Sequence, residues 1–261
     1  MIEFLLSLST FTGSVLTMTI STALGIVVYV TSYKLISKYQ TEEMKDSTNS
    51  LFRAVGILVS LMLSLAFAEV VVEVRAIENA IEREAVSIKD TYDDLQRFDA
   101  EKTRGIRATL VEYTQALIDD DWPALANDRL GQRASYLNGQ LQKSAIELEP
   151  TTGAQKQLWS RILSDLDSAS DYRLIRLDNA LAKPPIYLYV VFVGFLITMA
   201  CFGAYRPQAP LVVLVTMYTL FIGLVLYLIL ALSDPFQGGI GVDPGTFERL
   251  AENMRAELDQ P

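Results

Sequence analysis

LFRAVGILVSLMLSLAFAEVVV, residues Leu51 to Val72, decides the class of this protein. It meets the roughly 20 residues that a helix needs to cross a bilayer core. Charge enters only near its ends, at Arg53 and Glu69. Three other apolar blocks accompany it. The first runs from Phe4 to Tyr33 without a charge. It reads either as one long tilted helix or as an interfacial piece, Phe4 to Phe11, followed by a span from about Ser14 to Leu35. A cleaved signal peptide is a poor reading, because Glu3 is the one early charge and the apolar run is too long. The third and fourth blocks are Pro185 to Tyr205 and Pro210 to Leu232. Tyr187, Tyr189 and Tyr205 flank the third, as suits a lipid–water boundary. Pro184 and Pro185 stand at its start, where a missing N–H costs little. Pro207 and Pro210 imply a tight last hairpin.

The expectation is an all-α membrane protein with four transmembrane helices and a helical aqueous domain inserted between helices 2 and 3. Residues 1–72 hold spans one and two, 73–183 the aqueous domain, 184–233 spans three and four, and 234–261 an acidic tail. Four spans place both termini and the inserted domain on one side of the bilayer. Charge supports that grouping. The 261 residues carry 22 basic and 31 acidic side chains, a net of -9. Glu73 to Lys183 holds 20 acids and 15 bases, the tail from Asp234 holds 6 and 2, and the remainder 5 and 5. The short-loop positive-inside count conflicts with itself. Lys34, Lys38, Lys45 and Arg206 favour one side, and Arg75, Arg83, Arg173, Arg176 and Lys183 the other.

Composition excludes much chemistry. There is no histidine and one cysteine, Cys201. Histidine-based acid/base catalysis, Ser/His/Asp triads, histidine metal sites and internal disulfides are all absent. No cofactor motif is present, no enzyme activity is expected, and the negative balance argues against nucleic acid. Cys201 reads as a small buried apolar residue.

The middle segment is helical by periodicity. Val74, Ile77, Ile81, Ile88, Tyr92 and Leu95 lie on one helix face, so span two continues into water to about Phe98. Asp99 is a candidate N-cap for a helix striped by Ile106, Leu110, Tyr113 and Leu117. Asp119 to Pro123 breaks it. A weaker helix follows from Arg133 to Ile146, then a loop over Glu149 to Gly153. Leu158, Ile162, Leu166, Tyr172, Ile175 and Leu181 predict a long helix leading directly into span three. In the tail, Asp243 can cap a helix with Pro244 at its first position. Its face of Phe247, Leu250, Met254 and Leu258 docks on the middle bundle or on a neighbouring subunit.

Span two carries the candidate site. Gly56, Ser60, Ser64 and Ala68 recur every four residues. The stripe is either a small-residue face for close helix approach or a pore wall. In the second reading Leu61, Leu65 or Phe67 narrows the path and gates it by dewetting, and the lining extends to Val71. Glu69 and Glu73 share one helical side. In a symmetric oligomer Glu69 forms a ring of like charge that favours cations; alternatively it lies at the interface, paired with Arg75 or with a neighbour's base. Glu78, Glu82, Arg83 and Glu84 read as solvated helix surface. After span four, Asp234-Pro235-Phe236-Gln237-Gly238 is a junction in which an aromatic can wedge below the span while glycines turn the backbone.

These last features resemble the bacterial bestrophin-like membrane family, relatives of the bestrophin channels. The resemblance rests on Asp234-Pro235-Phe236-Gln237-Gly238 and on Glu69 to Tyr92, with Arg75, Ile77, Glu84-Ala85 and Tyr92. It implies a symmetric homo-oligomer, a pentamer, in the bacterial plasma membrane. It also implies span two around an axial pore, cytoplasmic termini and middle domain, and conduction of small inorganic ions. The acidic run that binds calcium in animal bestrophins is replaced here by Gly239, Ile240, Gly241 and Val242, so calcium gating is not expected. The competing reading is a non-conducting scaffold or sensor whose helical middle binds a protein partner. An intramembrane enzyme ranks last.

Overall fold

The computed structural model describes residues 9–39, 41–181, 187–237 and 241–259. Every regular element among them is helical. In chain order they are α1 (Thr10–Ile36), a 3-10 turn (Ser37–Tyr39), α2 (Glu42–Asp99), α3 (Arg104–Ala116), a π-helical turn (Leu117–Asp121), α4 (Trp122–Leu125), α5 (Gln132–Ile146), α6 (Gly153–Ala180), α7 (Tyr187–Phe202), α8 (Ala209–Leu232) and α9 (Gly245–Leu258). Two compact units result, Met1–Val72 with Lys183–Ile240, and Glu73–Ala182 with Gly241–Pro261. The single helix α2 contributes to both.

Three helices are long and apolar enough to cross a membrane: α1, α2 and α8. The apolar helix Leu188–Phe202 within α7 is shorter. Residues 182–186, with Pro184 and Pro185 of the expected third span, lie outside the described residues, as does most of the Phe4 to Phe11 piece. The α6 helix ends at Ala180 and α7 begins at Tyr187, so the described helix does not run directly into the third span.

In the first unit, α1 packs along α8 and α7. Its buried stripe is Gly13, Thr17, Ser21, Gly25 and Tyr29, spaced by four. Small residues at that spacing let helices approach closely in lipid, where association depends on packing rather than on water. A methyl group on Gly25 would lie 2.5 Å from Thr219 Cγ2 and 3.2 Å from Met199 Sδ; on Gly223 it would meet Met18 Cα at 2.9 Å. The close-approach stripe of this unit thus lies on α1. Phe195, Met199, Val215, Ile222 and Ile229 fill the core with Val59, Leu63, Ala66 and Val70 of α2. At one end Phe202 meets Tyr29 and Phe52 edge-on, Tyr29 Oη donates to Tyr205 O at 3.3 Å, and Tyr205 Oη to Asn49 Oδ1 at 2.8 Å.

The second unit is built on Ile77, Ile81, Ile88, Tyr92 and Leu95 of α2, all buried, as their spacing predicts. Asp99 does not cap α3. Its carboxylate accepts from Lys102 N at 3.1 Å, and α3 starts after Thr103, whose hydroxyl turns back to Leu95 O and Asp99 O, each at 2.7 Å. Asp119 to Pro123 does not break the helix either. The chain widens into the π turn and continues as α4. The wider turn aims its acids differently: Asp119 accepts from Gln115 Nε2 at 3.0 Å, and Asp120 takes the backbone N–H of Arg133 at 2.7 Å and of Ala134 at 3.2 Å, capping α5. Thr152 and Gln155 form a capping box at the start of α6. The buried face of α6 is Ile162, Leu166, Ala169, Arg173, Arg176, Leu177 and Ala180. Ile175 and Leu181, expected inside, are exposed.

The tail helix docks within the same unit. Phe247, Leu250, Ala251 and Met254 are buried, Tyr92 Oη donates to Met254 O at 3.0 Å, and Lys89 bridges Asp93 at 2.6 Å and Glu257 at 3.2 Å. Asp243 Oδ1 accepts from Gly245 N at 2.8 Å, as an N-terminal cap should.

Candidate pore face and buried charge cluster

In the apolar half of α2, Val59, Leu63, Ala66 and Val70 form one buried stripe. The rest of the helix is left open by its own chain. Ser60, Leu61, Ser64, Leu65, Phe67, Ala68 and Glu69 are exposed, and Gly56 and Val71 half-buried. A Cβ on Gly56 would meet nothing within 4 Å. Ser64 Oγ donates to Ser60 O at 2.9 Å, which satisfies the hydroxyl along the helix. At about 100° per residue, Leu61 and Ala68 stand opposite the buried stripe. Gly56, Ser60, Ser64, Phe67 and Val71 fall on one flank, Leu65 and Glu69 on the other. Leu61 is 59% exposed and Leu65 51%, which for side chains of this size marks a surface that lipid or another copy must cover. Glu73, further along α2, is half-buried. After α8, Pro235 is buried, Asp234 and Phe236 are half-buried, and Gln237 N donates to Asp234 O at 3.2 Å. Gly238 lies outside the described residues.

The second unit contains a charge cluster that apolar periodicity does not reveal. Glu78, Glu82 and Arg83 lie on the surface, but Glu84 is fully buried. It sits in the apolar stripe of α2, seven residues after Ile77 and four before Ile88. Arg176 Nε and Nη2 donate to its two oxygens at 2.9 and 3.3 Å, and Tyr113 Oη donates to Oε1 at 3.3 Å. Arg176 Nη2 also reaches Asp121 Oδ2 at 3.2 Å. Asp121 receives a two-pronged grip from Arg173, Nε and Nη2 each at 2.8 Å. Two cations and two anions balance. The π turn is what brings Asp121 inward from a run of three acids. Behind the guanidinium, the rings of Trp122 and Phe247 lie 5.5 and 5.7 Å from Arg176 Cζ.

Burial alone would lower the Arg176 pKa, but the charge and hydrogen bonds of Glu84, with Asp121, raise it, so it stays cationic. Burial pushes the Glu84 carboxyl up, against the pull of Arg176. Burial and the Glu84 carboxylate push the Tyr113 hydroxyl well above the ordinary phenol range, so it remains a donor. Such a cluster costs desolvation and is weak evidence for net stability, yet losing one member leaves a buried charge exposed to nothing. Among the described residues no group of three acidic or cysteine side chains converges to hold a metal ion.

Known proteins place the chain. Comparison with curated proteins finds no match. Among solved structures it is similar to a bacterial Bestrophin homolog from Klebsiella pneumoniae carrying a point substitution, at 11% identity and a TM-score of 0.67 over 95% of this chain and 99% of that one. A structure described as a membrane protein gives the same TM-score at 12% identity, again over 95% of this chain and 99% of the other. At these identities the likeness speaks for the fold. The description of the Bestrophin-like domain matches residues 11–247. This chain belongs to the Bestrophin-like family and is a helical membrane protein.

Proposed function

We propose that this protein is an oligomeric ion channel in which α2 of each copy lines a shared axial pore. The observation that carries the reading is the open face of α2: residues 56–71 pack on their own chain through one narrow stripe only. A helix of this composition with small and hydroxyl-bearing residues on its free side suits a wet conduit between copies. One copy with so few spans can hardly enclose a wide water path, so several are needed, five by family resemblance. Leu61 and Ala68 face the axis. The flank of Gly56, Ser60, Ser64, Phe67 and Val71 lies toward one neighbour, and that of Leu65 and Glu69 toward the other. Leu61 and Leu65 form the apolar collar, and Glu69 and Glu73 the charge rings.

The span count behind this is four. The apolar stretch of α7 is extended in sequence by Pro185 and Ile186, and both termini then share a side with residues 73–183. We place that side in the bacterial cytoplasm. Its negative charge, -5 in the middle and -4 in the tail from the counts above, concentrates cations, so the pore leans to cations. Asp234, Pro235, Phe236 and Gly238 form the junction below the last span.

Reconstituted protein in liposomes tests this. Leu61→Ala with Leu65→Ala raises ion flux by widening the collar, and Glu69→Gln lowers the cation preference. Absence of Na+, K+ and Cl- flux at every pH and voltage, with a monomer or dimer in detergent, supports the scaffold reading instead.

A further inference from the structure

The tail helix covers the charge cluster in an unusual way. Phe247 is fully buried against Arg176 and meets Trp122 edge-on at 6.0 Å. Arg176 is itself fully buried, and its Nη1 has no hydrogen-bond partner among the described residues. That N–H edge is left with ring faces, a weaker substitute for a hydrogen bond. A docked α9 therefore keeps a buried donor unsatisfied and four ionised groups dry, and both conditions oppose docking. Docking is favoured by Phe247, Leu250 and Met254 and by Tyr92 Oη on Met254 O. The Lys89–Glu257 bridge is about one-third exposed on both sides, so it adds little. An apolar layer beneath α9 would offer no such return on opening. Here water repays part of the lost contact by solvating Arg176.

We propose that α9 is a displaceable strap: it seals the Glu84–Asp121–Arg173–Arg176 cluster in one state and swings off to hydrate it in another, at a cost well below that of unfolding the unit. This does not depend on the channel reading.

Hydrogen exchange read by mass spectrometry on the full chain in detergent tests it. The amides of α9 exchange at least about tenfold faster than those of α6 and of α2 around Glu84. Replacing the dry pair by Glu84→Gln with Arg176→Met keeps the charges balanced and removes the unsatisfied donor. In that variant α9 exchanges about tenfold more slowly than in the native chain. Phe247→Ala speeds α9 selectively. Equal exchange of α9 and α6 in the native protein overturns the proposal, as does faster α9 exchange in the double variant. Should that variant fail to fold, trypsin cleavage at Arg249 and Arg255 of the native chain decides. Cutting by local opening, at denaturant concentrations that leave the rest intact, supports the strap, and cutting only on global unfolding refutes it.

Discussion

Arg176→Met takes the central cation from a site that is fully buried. It loses both bonds to Glu84, at 2.9 and 3.3 Å, and one to Asp121 at 3.2 Å. The two acids do not suffer equally. Asp121 keeps both prongs of Arg173, whereas Glu84 keeps Tyr113 alone among its partners here. A buried carboxylate stripped of its cation costs about 3–5 kcal/mol. For a chain of this size that lowers the apparent unfolding midpoint by roughly 10 °C. Glu84→Gln alone leaves Arg176 with Asp121 and costs a similar amount. The double variant restores charge balance, so its loss is smaller than the sum, with a coupling of about 2 kcal/mol or more. Circular dichroism melts of the four proteins in one detergent measure the cycle. Losses that add to within about 0.5 kcal/mol would refute the view that Glu84 and Arg176 act as a unit.

Other consequences are as specific. Gly25→Val forces its side chain against Thr219 and Met199 and destabilises by about 1–3 kcal/mol, while Gly56→Ala, facing open space, leaves the thermal midpoint of dissociated chains unchanged. Tyr113 has a folded pKa above its unfolded value, so its contribution to stability is intact below about pH 10 and is lost as pH rises through the folded value. In an ultraviolet titration of the 12 tyrosines, Tyr113→Phe removes a late-ionising phenol, and unchanged late absorbance contradicts its assignment. Cation permeability that is identical in Glu69→Gln and native liposomes removes Glu69 from the conduction path.

The fold was legible where apolar residues carry the burial. Ile77, Ile81, Ile88, Tyr92 and Leu95 show the buried face of α2, and Phe247, Leu250 and Met254 that of α9. Legibility failed where charged residues take core positions. On α6 a count of apolar residues rotates the face toward Ile175, because Arg173 and Arg176 score as surface although their forks are paired inside. Glu84 is hidden in the same way, although its place four residues before Ile88 and three after Ile81 is the spacing of the stripe itself. Gly13, Thr17, Ser21 and Gly25 were open to the same every-four reading as Gly56, Ser60 and Ser64. Spacing alone does not tell which stripe meets its own chain and which is left open. Partner geometry decides that, and it lies outside one chain's sequence.

The π turn at Leu117–Asp121 sets a rotational phase. It holds one residue more than a regular turn, and the side chains beyond it are ordered by that surplus. Deleting Asp119 or Asp120 would restore ordinary winding and rotate everything downstream on the same axis by about 100°. Asp121 would swing away from Arg173, and Trp122 would leave the ring pair with Phe247. A single codon lost there disassembles the cluster without altering any of its four charged members, whereas the same loss in the exposed loop around Glu149 leaves each of them where it is.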